Sequence, residues 1–204
     1  MKAVLAPVIL VCALLFVSRV QAYEPKTGDI VFQDIDTPQG RAVELATHSR
    51  YTHMGLVLIR KEHAFVLEAY DGVGLTPLQE WIDRGIGDHV VIKRLQNVNL
   101  QKEDARDFHL MALAYTGREY DYFFEWSDEM FYCSELVWKM YHRILGIRLG
   151  ELKRMRNFDL TDPFVRSMME ERFKGDPPLD EPVIAPDTIL NSDLLREVYR
   201  NGSP

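Results

Sequence analysis

The stretch MFYCSELVWKMY, residues 130 to 141, places Cys133 directly after a run of aromatic residues and at the front of a helical pattern. A thiol in that position can attack a carbonyl. The partial positive charge of a helix N-terminus favours the thiolate, and its unsatisfied backbone N–H groups can stabilise an oxyanion. Along the same helix Leu136, Val137, Met140, Tyr141, Ile144 and Leu145 form an apolar stripe. Cys133, three residues before Leu136, falls on that stripe in the first turn, so its sulfur is expected to point at the sheet. Glu135 opposes a thiolate electrostatically but faces elsewhere. The plainer account of Cys133 is a buried, inert side chain acting as a small hydrophobe. The nucleophile account requires a histidine and a group to orient it.

Six histidines are candidates: His48, His53, His63, His89, His109 and His142. His63 falls in a turn between strands, His109 in the middle of a helix, and His142 in the last turn of the Cys133 helix, where a cation suits the dipole. His48 ends a short helix and is a weaker option, while His89 opens a strand and stays in the set. His53 opens the best-patterned strand of the chain, and Gly55 leaves space above the same face. If HMGLVLI pairs with AFVLEAY through an even-numbered turn, Ile59 opposite Ala64 puts Gly55 opposite Glu68 and His53 opposite Tyr70. A slip of one pair sets His53 against Glu68. In both registers His53 and Glu68 share a face. Glu68 also interrupts an apolar run, where a carboxylate is costly unless exposed or paired. It reads either as a solvent-facing edge residue or as the group that holds the imidazole and stabilises its charged form.

The elements that must position these groups follow from pattern. TGDIVFQD is a Gly-led strand, RAVELATHS (Arg41 to Ser49) a short helix, THMGLVLIR and HAFVLEAY a hairpin, LTPLQEWIDR a turn with a short helix, and HVVIKRL another strand. Asn99 is the expected cap of the helix ending near Gly117, and the Cys133 helix stops near Gly146. Asp162 caps a helix with Pro163 at its first position. A last helix is expected over SDLLREVYR. Strands dominate residues 28 to 95 and helices the remainder, which points to α+β.

The N-terminal sequence has the order of a secretory signal peptide: Lys2, an apolar run from Ala3 to Val17, then a polar stretch ending at Ala22. Fifteen apolar residues reach only ~23 Å as a helix, against ~30 Å of bilayer hydrocarbon. Residues 1–22 are therefore expected to be a cleaved leader, and residues 23–204 one domain without a transmembrane segment, exported to a compartment such as the bacterial periplasm. Losing Lys2 and Arg19 leaves 22 basic residues against 31 acidic ones, a net charge of −9. That balance argues against nucleic acid or an anionic membrane surface as partner. Cys12 leaves with the leader, so Cys133 is a solitary thiol in a compartment where disulfides form readily.

These residues resemble the circularly permuted NlpC-type papain-like cysteine hydrolases, specifically the YiiX-like group of bacterial exported proteins. The resemblance rests on TGDIVFQ, ATHSRYTHMGLVL, FVLEAY, TPLQEW, GREYDYFFEWSDEMFYCSELVWKMY and FDLTDPFV, and covers nearly the whole expected mature chain. It implies a permuted papain-like (NlpC-type) fold, a small antiparallel sheet or partial barrel packed on helices. It also implies a triad of Cys133, His53 and Glu68, the set already reached from the residues. GREYDY and YCSE look like the Gly-x-Pro-Tyr and Asp-Cys-Ser-Gly segments of the unpermuted enzymes, but Glu119 replaces the proline, Tyr132 the aspartate and Glu135 the glycine. Those changes weaken the case for the cell-wall stem-peptide specificity of the unpermuted enzymes and leave the cysteine chemistry in place.

The expected function is an exported cysteine amidase or peptidase that cleaves a peptide, cell-wall peptide or acyl-amide through a thioester. Tyr132 or Gln33 is expected to add a side-chain donor to the oxyanion site or to line the pocket. The aromatic residues of YDYFFEWSDEMFY read equally as pocket lining or as packing beneath a helix. The same residue list also fits an acyltransferase, or a non-catalytic protein that binds peptides, lipids or cell-wall fragments. No cofactor is expected. A metal site built from His48, His53 and Asp34 or Asp36 lacks tight ligand spacing.

Overall fold

The structure, a computed structural model, describes residues 23–202; the expected leader and Cys12 lie outside them. The strands are β1 (Ile30–Gln33), β2 (His53–Arg60), β3 (His63–Ala69), β4 (Val73–Pro77), β5 (Val90–Leu95), β6 (Lys153–Arg154), β7 (Pro182–Val183) and β8 (Leu195–Asn201). The helices are α1 (Pro38–Thr47), α2 (Leu78–Asp83), α3 (Lys102–Tyr115), α4 (Cys133–Leu145), α5 (Pro163–Phe173) and α6 (Pro186–Leu190). Six strands form an antiparallel sheet in the order β4-β3-β2-β1-β5-β8, and β6 pairs with β7. An antiparallel sheet packed on helices is the α+β architecture expected. Among the described residues no helix is long and apolar enough to cross a membrane.

The hairpin of β2 and β3 turns on Lys61 and Glu62, both left-handed, with φ of 46° and 67°. Two residues with positive φ match the twist of the flanking strands. The even turn sets Ile59 opposite Ala64 and Leu56 opposite Leu67, the first of the two registers considered. Side chains on the two faces then part company. Met54, Leu56, Leu58 and Leu67 join a large core with Leu136, Val137 and Met140 of α4, whereas Val31, Val57 and Val66 face Trp81 of α2. His53 and Glu68 belong by alternation to the Trp81 face.

Gly55 keeps the hairpin closed at this point. A Cβ there would stand 2.3 Å from Val66 Cγ1, 2.8 Å from the Leu67 carbonyl oxygen and 3.4 Å from Glu68 Cβ. Gly55→Ala is expected to force β3 away, costing about 1–3 kcal/mol or more of stability by overpacking. Because Glu68 moves with β3, activity should fall with the melting temperature; a variant with wild-type melting and turnover would contradict this account.

Helix α4 is buried along every residue from Cys133 to Tyr141, including Glu135 and Lys139. One turn apart, these two form an ion pair of 2.7 Å, which answers the cost of burying either alone. Burial nevertheless pushes the Glu135 carboxyl up to about 8. Gly146, with φ of 68°, ends the helix as expected.

Several expectations are corrected. Residues 195–201 form a strand rather than a helix. Leu195, Val198 and Tyr199 have helical spacing, but the β5–β8 ladder skips Val198, pairing Ile92 with Tyr199 and Lys93 with Glu197. That bulge is what breaks strand alternation and imitates a helical stripe. The α3 cap is Gln101 rather than Asn99: Asp104 Oδ2 accepts from the Gln101 N–H at 2.7 Å, and the Asn99 carbonyl accepts from the Gln101 amide. Helix α1 begins at Pro38, where the Thr37 side chain accepts from the Gly40 N–H. β4 was not expected, because VGLTP has a glycine and a proline within five residues.

Candidate active site

Cys133 is the first residue of α4 and His53 the first of β2. The body of α4 lies on the opposite sheet face from His53, so sulfur and imidazole meet where both elements begin. Cys133 is 5% exposed, and His53 and Glu68 are each 2% exposed. His53 Nε2 donates to Glu68 Oε2 at 2.5 Å, and the ring interacts electrostatically with the Cys133 side chain. With Nε2 committed to the carboxylate, Nδ1 is the nitrogen left for sulfur.

Glu68 is held from several sides. Thr76 Oγ1 donates to Oε1 at 2.6 Å, Trp81 Nε1 donates to Oε2 at 2.9 Å, and Arg84 forms a short ion pair with the same oxygen. Thr76 comes from β4, and Trp81 and Arg84, three residues apart, from one side of α2 and its end. Trp81 stacks on His53 with ring centres 5.9 Å apart, Tyr70 meets the same ring edge-on at 5.7 Å, and Arg84 lies 4.1 Å over Tyr70. Burial opposes charge on both partners but is outweighed on each. The interaction with Cys133 and the hydrogen bond to Glu68 lift His53 to about 9, and hydrogen bonds from His53, Arg84 and Thr76 hold Glu68 at about 2.

Thr76, Trp81 and Arg84 were not picked out as site residues from sequence. The available signal was a tryptophan and an arginine three apart in the helix that follows the hairpin.

The other histidines are placed elsewhere. His48 pairs with Asp159 at 3.0 Å, His63 is exposed at the start of β3, and His89 sits 3.3 Å from the Tyr51 hydroxyl. His109 bridges the carbonyls of Ala105 and Ile59 at 2.7 and 2.9 Å, and His142 packs on Trp138. Asp34 pairs with Arg50. The metal set considered from sequence is therefore not assembled, and among the described residues no three His, Cys, Asp or Glu side chains are grouped to hold a metal ion.

Tyr132 caps the front of α4, and its hydroxyl accepts from the Ile184 N–H at 3.2 Å while Ser134 Oγ donates to the Ile184 carbonyl at 2.8 Å. Gln33 lies opposite His53 in the β1–β2 ladder, fully buried, with neither amide atom hydrogen-bonded. Beside Cys133 opens a pocket with a cavity volume of about 100 Å³, walled by α1 and α5 residues such as Val43, Ala46, Val165 and Met169, and by Ile184. The aromatic segment divides between its two readings. Tyr120, Phe124 and Tyr132 line this pocket, whereas Phe131 packs on Tyr115 at 4.6 Å and Trp126 on Trp138 at 5.4 Å.

A buried Glu-His pair presented to a cysteine at a helix N-terminus is the arrangement of a papain-like thiol site, with the histidine and acid ahead of the cysteine in the chain. Residues 24–199 match the model of the permuted papain-like amidase enzymes, YaeF/YiiX, C92 family. The uncharacterized protein YiiX of Escherichia coli K12 is 38% identical over 192 residues, 94% of this chain and 95% of that one. The crystal structure of metalloprotein yiiX from Escherichia coli O157:H7 superposes with a TM-score of 0.84 at 38% identity, over 88% of this chain and 99% of that one. The chain thus belongs to the permuted papain-like amidases of the YaeF/YiiX, C92 family, a family of cysteine hydrolases.

Proposed function

We propose that the protein cleaves an amide by nucleophilic catalysis, with Cys133 as nucleophile, His53 as proton carrier and Glu68 as the group that orients it. The observation that carries this reading is the buried His53–Glu68 bond, which leaves one imidazole nitrogen for the sulfur. Cys133 Sγ, its proton held by His53, attacks the carbonyl carbon, and the C=O electron pair moves onto oxygen. Backbone N–H groups in the first turn of α4 hold that oxyanion. Tyr132, whose hydroxyl proton is free while its oxygen accepts from Ile184, and Gln33 are the side chains available to assist. Collapse breaks the C–N bond, and the amine leaves with the proton from His53. Water, deprotonated by His53, then attacks the thioester and releases the acid and the thiol.

We also propose that the chain is exported, with a leader ending at Ala22. The O157:H7 relative is called a metalloprotein. The donors at this site do not suit a resident ion, because Glu68 accepts from Thr76, Trp81, Arg84 and His53 together, so no step is routed through a metal.

Thiol reactivity provides the test. At pH 7 iodoacetamide is expected to alkylate Cys133 in the folded protein at least about tenfold faster than an ordinary thiol, with His53→Ala abolishing the excess. Equal rates in the two proteins would leave Cys133 an inert buried residue.

A further inference from the structure

A second pocket opens at the far end of the sheet from the thiol. Its volume is about 480 Å³, within the ~300–1,000 Å³ of small-molecule sites, and it shares no lining residue with the pocket beside Cys133. The segment entering β1, the end of β5 with the loop that follows it, the front of α3 and the start of β8 supply its walls. Tyr141 reaches it from α4, eight residues and so ~12 Å along the helix from Cys133. The Tyr141 hydroxyl donates to the Gly28 carbonyl, which ties this end of α4 to the pocket rim.

The lining is basic in an acidic chain. Lys26, Arg94 and Arg196 line the pocket with no aspartate or glutamate among its lining residues, although the whole sequence carries a net charge of −7. Arg94 stands directly opposite Arg196 in the β5–β8 ladder, and like charges so placed destabilise a sheet. Asp29 neutralises one of the two: its carboxylate accepts from Arg94 Nε at 2.5 Å and from Nη2 at 2.7 Å. The same carboxylate accepts from the Lys26 N–H at 2.9 Å, which sets Lys26 beside Arg94. Among the described residues no acid pairs with the Lys26 ammonium or the Arg196 guanidinium. Two positive charges are thus left without a counter-ion. The loop between β5 and α3 adds neutral donors. It turns at Asn97, whose φ is 60°, and among the described residues nothing accepts from the N–H groups of Asn97, Val98 and Asn99. Successive free N–H groups of this kind suit an anion.

We propose that this pocket binds a small phosphate monoester, at a site separate from the thiol. A monoester carries about −1.5 to −2 on one compact group at pH 7, which matches the two cations left over. A monocarboxylate or a phosphodiester brings one charge and leaves a cation unanswered. The Arg196 guanidinium takes phosphate oxygens through its planar fork, Lys26 acts as a point charge, and the loop N–H groups complete the shell. The remaining volume suits an organic part about the size of glycerol or a sugar. By answering the charge on Arg196, the ligand also relieves the repulsion across the β5–β8 ladder, so it stabilises the folded chain by mass action.

Calorimetry and thermal melting with glycerol 3-phosphate, dimethyl phosphate, succinate and glycerol test this. Glycerol 3-phosphate is expected to bind about tenfold or more tighter than dimethyl phosphate, the size of one charge-assisted hydrogen bond, with glycerol not binding. Its affinity should rise from about pH 5 to about pH 7.5, as the ionisation near 6 produces the dianion, and fall as salt is added. Arg196→Gln and Lys26→Gln change exposed positions, so each should melt as wild type does without ligand and bind glycerol 3-phosphate about tenfold more weakly. Cys133→Ala should bind it as tightly as wild type; loss of binding there would put the phosphate at the thiol and overturn the inference. Neither heat nor a melting shift at about 10 mM glycerol 3-phosphate would also overturn it. So would wild-type affinity in both Arg196→Gln and Lys26→Gln, or succinate, dimethyl phosphate or glycerol binding as tightly as glycerol 3-phosphate.

Discussion

Cys133→Ala is expected to lower turnover at least about 10⁴-fold while the fold is kept, because no other group can form the thioester and only oxyanion donors and binding remain. The stability cost should be small. Cys133 is buried in the core and the change removes one sulfur, roughly the equivalent of a methylene at about 0.8 kcal/mol, which corresponds to a melting shift within about 4 °C. His53→Ala should be nearly as damaging, and the double variant no worse than the worse single one, since the two act as one unit. Intact-mass detection of an acyl adduct on the wild-type protein, absent from Cys133→Ala, identifies the covalent step. Hydrolysis by Cys133→Ala at the wild-type rate would remove the cysteine from the mechanism altogether.

The pairing of His53 with Glu68 could be foreseen because the parity of a two-residue turn fixes both on one face. A helical stripe starting at Leu136 places Cys133 in the first turn against the sheet, but its meeting with His53 is not local, because the body of α4 packs on the other face. What surrounds them could not be foreseen in the same way. Thr76, Trp81 and Arg84 reach Glu68 only after β4 and α2 fold back over the hairpin, and that docking has no period in sequence. The pocket depends on α1 meeting α5, elements more than a hundred residues apart, through contacts such as Arg172 to Gln39. At the C-terminus the failure had a different origin. A bulge at Val198 gave a strand the apolar spacing of a helix, and the free edge of β5 decided the outcome. The long-range features are the ones that bear on substrate, which is why the reaction class was readable before its specificity.

Replacing Glu68 tests the support of the imidazole rather than the nucleophile, and two substitutions separate its roles. Glu68→Ala strips partners from His53, Trp81, Thr76 and Arg84 at once, leaving buried cationic groups without an acid, so a loss of about 3–5 kcal/mol is expected. Glu68→Gln preserves the volume and an acceptor but removes the charge. It should retain about 10²-fold more activity than His53→Ala, since the proton carrier is still present. Its signature lies in pH. His53 stands at about 9 in the folded protein against an ordinary 6.5, so its contribution to stability is complete below 6.5 and disappears as pH rises through 9. Glu68 stands at about 2 against an ordinary 4.5, so its contribution is complete above 4.5 and disappears as pH falls through 2. Both are fully present only between about pH 4.5 and 6.5, where the stability gap between wild type and Glu68→Gln should be widest. The alkaline limb of kcat/KM, set in wild type by the charged imidazole near 9, should move to lower pH in Glu68→Gln because the charged form has lost its counter-ion. An unmoved limb together with a constant stability gap would show that Glu68 packs beside His53 without holding its charge.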